Sequence, residues 1–460
     1  MTVLPAVTGP RAGAGAPVHP IGRTLRRYGP VLPVLLLIAM LALPLGAGAE
    51  QEGSGGTGTL ADAVSGLVVI FCAVRAVRHR QRPLTRTALV VLGLPVVAVA
   101  VAALGADSVS NALVGMARYY QILVLVPAAV LILVRDRDDF RLVAWGLVAL
   151  GLWQGALGVY QYLTGTGASY AGEDIRAVGT FGATDVMGMS TVVAYGLVCA
   201  VALALGGATA RVRLTALACA AGLVVPLALS FSRGAWIATA VVCVAQIVCA
   251  GLRRAVRLLA IGVAAAVVLV GGLGVGTSML EERLSSITQV TAAPDQSVTD
   301  RYTMWAAAID MWEEHPATGV GLKNFPAYRD SHASLALSAG SDVAGAGASF
   351  RRQPLLSPHN MYLLVLSEQG LLSLCAIVGA WAAMLVCGVR RLVTAHRRRA
   401  GGLDCALIAC GLLVWQLIDF VYADIGGPST VLTSVVFGLA AWWALAPAAD
   451  GASREAAARR

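Results

Sequence analysis

About twelve apolar runs, each close to twenty residues, alternate with short Arg-rich connections along this chain, and no other feature constrains its fold so strongly. Lipid offers no partner to a backbone N–H or C=O, so a run of this length crosses hydrocarbon as a helix bonded within itself. Spans are expected at 31–48, 59–74, 87–105, 112–134, 142–163, 187–206, 214–231, 234–252, 258–277, 359–388, 402–423 and 429–447. The expected fold is an all-α polytopic membrane helix bundle of about twelve transmembrane helices, with a long extracytoplasmic loop containing short helices. Composition agrees. With 58% hydrophobic residues, 13% charged residues and a mean hydropathy of +0.75, the chain is too apolar for a water-soluble globule of its length.

The basic residues indicate orientation. With a cytoplasmic N-terminus, the connections beginning at Arg75, Arg135, Arg211, Arg253 and Arg390 face inside together with both termini. These hold roughly 25 of the 34 Lys and Arg residues, as the positive-inside rule requires. The formal charge of +9 is spread over such short clusters, a distribution that sets topology and offers no basic face to nucleic acid. The chain divides into a cytoplasmic tail (1–30), helices one to nine (31–277), an extracytoplasmic loop (278–357), helices ten to twelve (358–447) and a second cytoplasmic tail (448–460). The first apolar run follows Arg23, Arg26 and Arg27 without a clear small-residue cleavage site, so it is expected to remain as a signal anchor in the plasma membrane. The nine Cys residues lie in or beside apolar segments without metal-site spacing, and neither metal nor cofactor is expected.

One polar stretch stands apart. Ser278 to Ser357 forms a loop of roughly eighty residues, far longer than a connection needs, and excess loop length tends to carry function. Within it Trp305, Ala308, Ile309 and Trp312 recur at i, i+3, i+4, i+7, which predicts an amphipathic helix from about Asp300 to Glu314, stopped before Pro316. Segment Ser334 to Ser349, rich in Ser, Gly and Ala, reads as a mobile, lid-like part of the loop. Arg301 falls in the first turn of the amphipathic helix. Arg233 follows Ser232, a natural N-cap, and opens helix eight at the outer boundary. In SPHNMYLL, Ser357 can cap, Pro358 suits the first helical position, and His359 then lies in the opening turn of helix ten.

Helix N-termini collect anions because their free N–H groups and dipole point outward, and guanidinium adds a bidentate fork for phosphate oxygens. Arg233 and Arg301 at such positions suit a diphosphate. The same field disfavours protonated imidazole, leaving His359 free to accept a proton as a general base. Other readings stand beside these: Arg233 as a headgroup anchor, Arg301 paired with Asp300 or Glu314, and His359 bonded to a carbonyl. Trp305 and Trp312 read as packing or interface anchors before substrate platforms. Candidate substrate contacts are Arg176 in IRAVGTF, Arg118 within helix four, Lys323 in GVGLKNF, His315 and Asn360. Against this, a loop Arg is commonly solvated, His315 beside Pro316 can be structural, and Arg118 can snorkel. Asp419 and Asp424 border the same surface, with hydration as their default reading.

The combination SFSRGAWIA, RYTMWAAAIDMWEEHPATGVGLKNF and SPHNMYLLVLSEQGLLSL resembles the O-antigen ligase and polymerase superfamily, most specifically over Ser230 to Leu374. That resemblance implies a many-helix membrane glycosyltransferase, independent of metal and inverting, whose donor is a saccharide on undecaprenyl diphosphate. The acceptor it implies is a hydroxyl of a saccharide, lipid or protein. It carries the diphosphate role to Arg233 and Arg301 and the base role to His359. The alternatives from other classes are a transporter or flippase of about twelve helices, for which neither repeated halves nor interrupted midplane helices are found, and a noncatalytic envelope scaffold. A peptidoglycan-type glycosyltransferase is a nearer rival that would use the same kind of donor.

Overall fold

The computed structural model describes residues 27–43, 60–79, 84–106, 108–167, 169–170, 177–185, 187–251, 256, 296–337, 341–344, 351–353, 355–397, 401–427 and 429–447. Its helices are α1 (Leu32–Met40), α2 (Leu60–Arg78), α3 (Arg86–Ala103), α4 (Val109–Leu133), α5 (Arg137–Thr164), α6 (Gly188–Gly206), α7 (Ala210–Leu229), α8 (Arg233–Ala250), α9 (Gln296–Glu314), α10 (Phe325–His332), α11 (Met361–Arg397), α12 (Leu403–Asp419) and α13 (Thr430–Leu445). Among the described residues eight helices are long and apolar enough to cross a membrane, which makes this a multi-pass membrane protein. The expected ninth span, 258–277, lies outside the described residues, as do Arg176, residues 1–26 of the N-terminal tail and the C-terminal tail.

Local chemistry sets the helix ends. Asp136 caps α5 by accepting from Asp138 N and Asp139 N, and Gly165 stops it at φ +69°, a left-handed stop that glycine reaches without a Cβ clash. Thr85 caps α3 and Ser232 caps α8 through Ala235 N, so the expected cap of helix eight is found where the sequence places it. α6 is the central helix. Its membrane window is 89% buried, against α5, α7, α8 and α12. Gly151 of α5 and Gly196 of α6 bring two backbones together, since a Cβ on either would lie 3.4 Å from the other's Cα.

The helical class is as expected, and three finer expectations are corrected. In the loops, strands Ser169–Tyr170 (β1), Ser341–Ala344 (β2) and Arg351–Gln353 (β3) form a small antiparallel sheet, with Ser169 opposite Ala344 and Val343 opposite Arg351. The sheet joins the loop after α5 to the long loop, so the two lie on one side of the bundle. Part of the expected lid, 341–344, is thereby a paired strand.

The long run expected as one helix over 359–388 is broken. Gly370, at φ 71° and ψ −177°, interrupts α11, a conformation open essentially to glycine alone. Freed backbone groups there are taken up by the long loop: Val320 N donates to Ser367 O (2.8 Å), Gly321 N to Glu368 O (3.0 Å) and Leu371 N to Pro316 O (2.9 Å). Phe325 N donates to the buried Glu368 carboxylate at 3.2 Å.

The amphipathic helix exists but presents a different face. Met304, Ala307, Ala308 and Met311 are buried, while Ile309 is 39% exposed and Trp305 and Trp312 are only partly covered. Small and flexible side chains fit closely against Val320, Phe325, Leu355 and Leu364 in a separate core of the loop, and full burial of each Met contributes roughly 2 kcal/mol. The tryptophans are left to the rim, where their N–H groups find carbonyls: Pro358 O for Trp305 (2.8 Å) and Pro316 O for Trp312 (3.2 Å).

Candidate functional site

His359 stands on a short segment between the loop core and α11. Asn360, not Ser357, caps α11: its Oδ1 accepts from Tyr362 N (3.0 Å) and Leu363 N (3.1 Å). His359 therefore precedes the helix, outside the opening turn expected for it, with φ +47°. A left-handed backbone at a bulky residue costs of order 1 kcal/mol and persists only where the surroundings impose it. Here they do. Met361 N donates to Phe420 O (2.9 Å) and Ala423 O (3.0 Å), Trp305 holds Pro358 O, and the Ser357 hydroxyl donates to Asp424.

These ties place His359 Nδ1 3.9 Å from Asp424 Oδ2. Although 46% of the imidazole side chain stays open, protein surrounds it on most sides, and burial is the largest influence lowering its pKa below the ordinary 6.5. Asp424 opposes that effect and the Arg301 guanidinium adds to it. The direction matches the sequence expectation, but burial and not the helix field is the main cause.

Arg301, in α9, acts electrostatically on both His359 and Tyr422. Arg233 opens α8, and no described residue forms an ion pair or hydrogen bond with its guanidinium. The next residue, Gly234, lies against Tyr422 so closely that a Cβ there would fall 2.3 Å from ring atom Cε2. Just before it, Phe231 takes φ +50° and its ring lies 6.2 Å from that of Tyr162. Tyr422 thus links the Arg233 turn to Arg301, and two residues later the same segment supplies Asp424. Among the described residues its own buried hydroxyl has no hydrogen-bond partner, nor has Asp419 Oδ1, and burial holds the Tyr422 phenol above its usual pKa.

The remaining candidates have other surroundings. Arg118 is paired: Nη1 meets Asp62 Oδ1 at 2.5 Å and Gln121 Oε1 at 3.2 Å, and Nη2 donates to Gly427 O at 3.2 Å. Lys323 is exposed at φ +62°, with its stem beside Gly115, where a Cβ would lie 3.3 Å from Lys323 Cγ. His315 is exposed just after α9, and its N–H closes the last turn onto Met311 O. Asn360 is 6% exposed with its amide oxygen committed to the cap. Tyr422 was missed in the sequence and Asp424 undervalued. Among the described residues no three His, Cys, Asp or Glu side chains gather as metal ligands.

In chemical terms the arrangement brings together an imidazole whose pKa is lowered, a carboxylate on its Nδ1 side and the Arg301 guanidinium, while Arg233 is connected to them through the contact of its neighbour Gly234 with Tyr422. Residues 215–378 match the family model described as O-antigen ligase, and that stretch contains Arg233, Arg301 and His359 but ends before Tyr422 and Asp424. No curated protein compared with the chain matches it significantly. That matched stretch, set in a multi-pass helical bundle, supports an O-antigen ligase domain over residues 215–378.

Proposed function

We infer that this protein is a membrane glycosyltransferase that moves a saccharide from undecaprenyl diphosphate to an acceptor hydroxyl during assembly of a cell-surface polysaccharide. The observation that carries the reading is the meeting of His359 and Arg301, inside the matched stretch, with Asp424 and the Tyr422–Gly234 contact. Asp424 on the Nδ1 side leaves Nε2 to face the acceptor. Nε2 takes the acceptor proton as the oxygen attacks the anomeric carbon from the face opposite the diphosphate. The new C–O bond forms as the bond to the phosphate oxygen breaks, and configuration inverts.

Charge then grows on the departing diphosphate, where Arg233 and Arg301 lie ready to receive it. Fixed donors aimed at developing charge supply several kcal/mol without reorganisation, so in this reading the arginines carry the electrostatic work and no metal takes part. An extracytoplasmic site is supported by the clustering of basic residues in the connections read as cytoplasmic, and the β1–β2 pairing is consistent with two outward loops sharing one side.

The test is made in cells carrying wild type, His359→Ala or Arg301→Ala at matched membrane abundance. Both variants are expected to accumulate undecaprenyl-linked saccharide while surface polymer falls. Unchanged levels of both would refute the assignment and favour a transporter or a scaffold.

A further inference from the structure

The turn that presents Asp424 is held from two sides by charged residues outside the matched domain. Asp424 Oδ1 accepts from Gly426 N at 2.8 Å, which closes the turn upon itself. On one side Arg118 Nη2 reaches Gly427 O at 3.2 Å while Nη1 is fixed by Asp62 and Gln121. On the other side Asp185 Oδ2 accepts from Ser429 N at 3.1 Å. Gly427 sits so tightly between them that a Cβ there would lie 2.6 Å from Asp185 Oδ2. Gly188, at the start of α6, closes on the same carboxylate, with a Cβ distance of 2.8 Å.

We propose that Arg118 and Asp185 are positioning residues that clamp the backbone at Gly427 and Ser429 and so hold Asp424 against His359. This rests on His359 being the base. It gives a reason for an Arg within a membrane helix, where the cost of a charge calls for a partner and a purpose. The Asp62 pair supplies the partner and the Gly427 carbonyl the purpose. Being bonded to backbone, the clamp acts on where Asp424 sits and leaves substrate untouched. Asp185 contributes from the opposite side through Ser429 N, so neither anchor alone carries the turn.

Among the described residues the charged and titratable groups facing His359 are Asp424 and Arg301, with Tyr422 beyond them. This makes the sign of the expected change informative. Deleting the Arg118 charge acts directly on His359 by raising its pKa. Letting Asp424 drift away removes the influence that raises it, so a loosened clamp lowers it.

The experiment uses the full chain in nanodiscs, labelled at histidine, with the His359 imidazole titrated by NMR in wild type, Arg118→Gln and Asp185→Asn. Transfer from an undecaprenyl-diphosphate-linked saccharide is assayed in parallel. Expected for both variants are a lower His359 pKa, a kcat reduced about tenfold, as for loss of a group that orients a base, and a donor KM within about twofold of wild type. Where Arg118→Gln fails to fold because Asp62 is left unpaired, the double variant Asp62→Asn with Arg118→Gln removes both charges and is expected to show the same shift. A raised or unchanged His359 pKa overturns the clamp, as does a raised donor KM with kcat intact, which would make Arg118 a substrate contact. The titration needs no turnover, so it tests the clamp even if His359→Ala proves active and the base assignment fails.

Discussion

Replacing Gly370 by Ala should separate the long loop from α11. Two effects act together. At φ 71° and ψ −177° an L-residue is strained by roughly 1–3 kcal/mol. The new Cβ would also lie 2.3 Å from both the C and O atoms of Ala317, so the loop has to retreat. Retreat breaks the bonds of Val320 N, Gly321 N and Leu371 N to their carbonyls, each worth about 1 kcal/mol net. The strain and the lost bonds together amount to roughly 4–6 kcal/mol, about a thousandfold or more in the ratio of docked to undocked loop. Hydrogen exchange read at Val320, Gly321 and Leu371 is expected to lose about three orders of magnitude of protection. Transfer should fall with it, because the same loop carries Arg301 to His359. Full protection at these three amides in Gly370→Ala would refute the reasoning.

Three further outcomes follow from the geometry. Transfer should be lost on the acid side only as His359 protonates, so the acid limb of kcat/KM lies below pH 6.5; Asp424→Asn, by removing the influence that raises this pKa, should move the limb lower still while reducing kcat. Among the described residues the Tyr422 hydroxyl has no hydrogen-bond partner to lose, so Tyr422→Phe should leave the unliganded Tm unchanged or slightly higher by scanning calorimetry, and a drop of several degrees would expose a structural partner. His332 bonds Tyr328 O at 2.8 Å and pairs with Glu314 at 3.2 Å. Its pKa is raised above 6.5 by those contacts against the pull of burial. The tie between α9 and α10 is thus fully present below pH 6.5 and is lost as pH rises through the folded pKa, readable as increased exchange of the α10 amides.

Apolar length made the membrane class legible, and cap residues made several boundaries legible, because both are local properties. Ser232 before Arg233 announced the start of α8, and DRYTMWAAAIDMWEE announced α9. Which face of α9 turns inward was not local. Trp305 and Trp312 dominate any apolar pattern, yet Met304 and Met311 occupy the core because the facing groove is narrow and the indole N–H groups need carbonyls. The cap of α11 went to Asn360 instead of Ser357 because Ser357 is engaged by Asp424, a contact sixty-seven residues away in sequence. The break at Gly370 carried a signal, since SEQG places three polar residues and a glycine within an apolar run, but only the docked loop shows what the break is for. Asp424 and Arg118 were both visible as polar groups in apolar surroundings. Their common purpose required knowing that Gly427 lies between Arg118 and Asp185.

The central claim, that His359 is the base of a transfer from a lipid diphosphate, is tested most directly with purified His359→Ala in nanodiscs. Donor binding and the rate of saccharide transfer would be measured on the same preparation. The account predicts donor affinity within about twofold of wild type and a transfer rate at least about a hundredfold lower, the usual contribution of a positioned base. Transfer at the wild-type rate with the donor bound would contradict it.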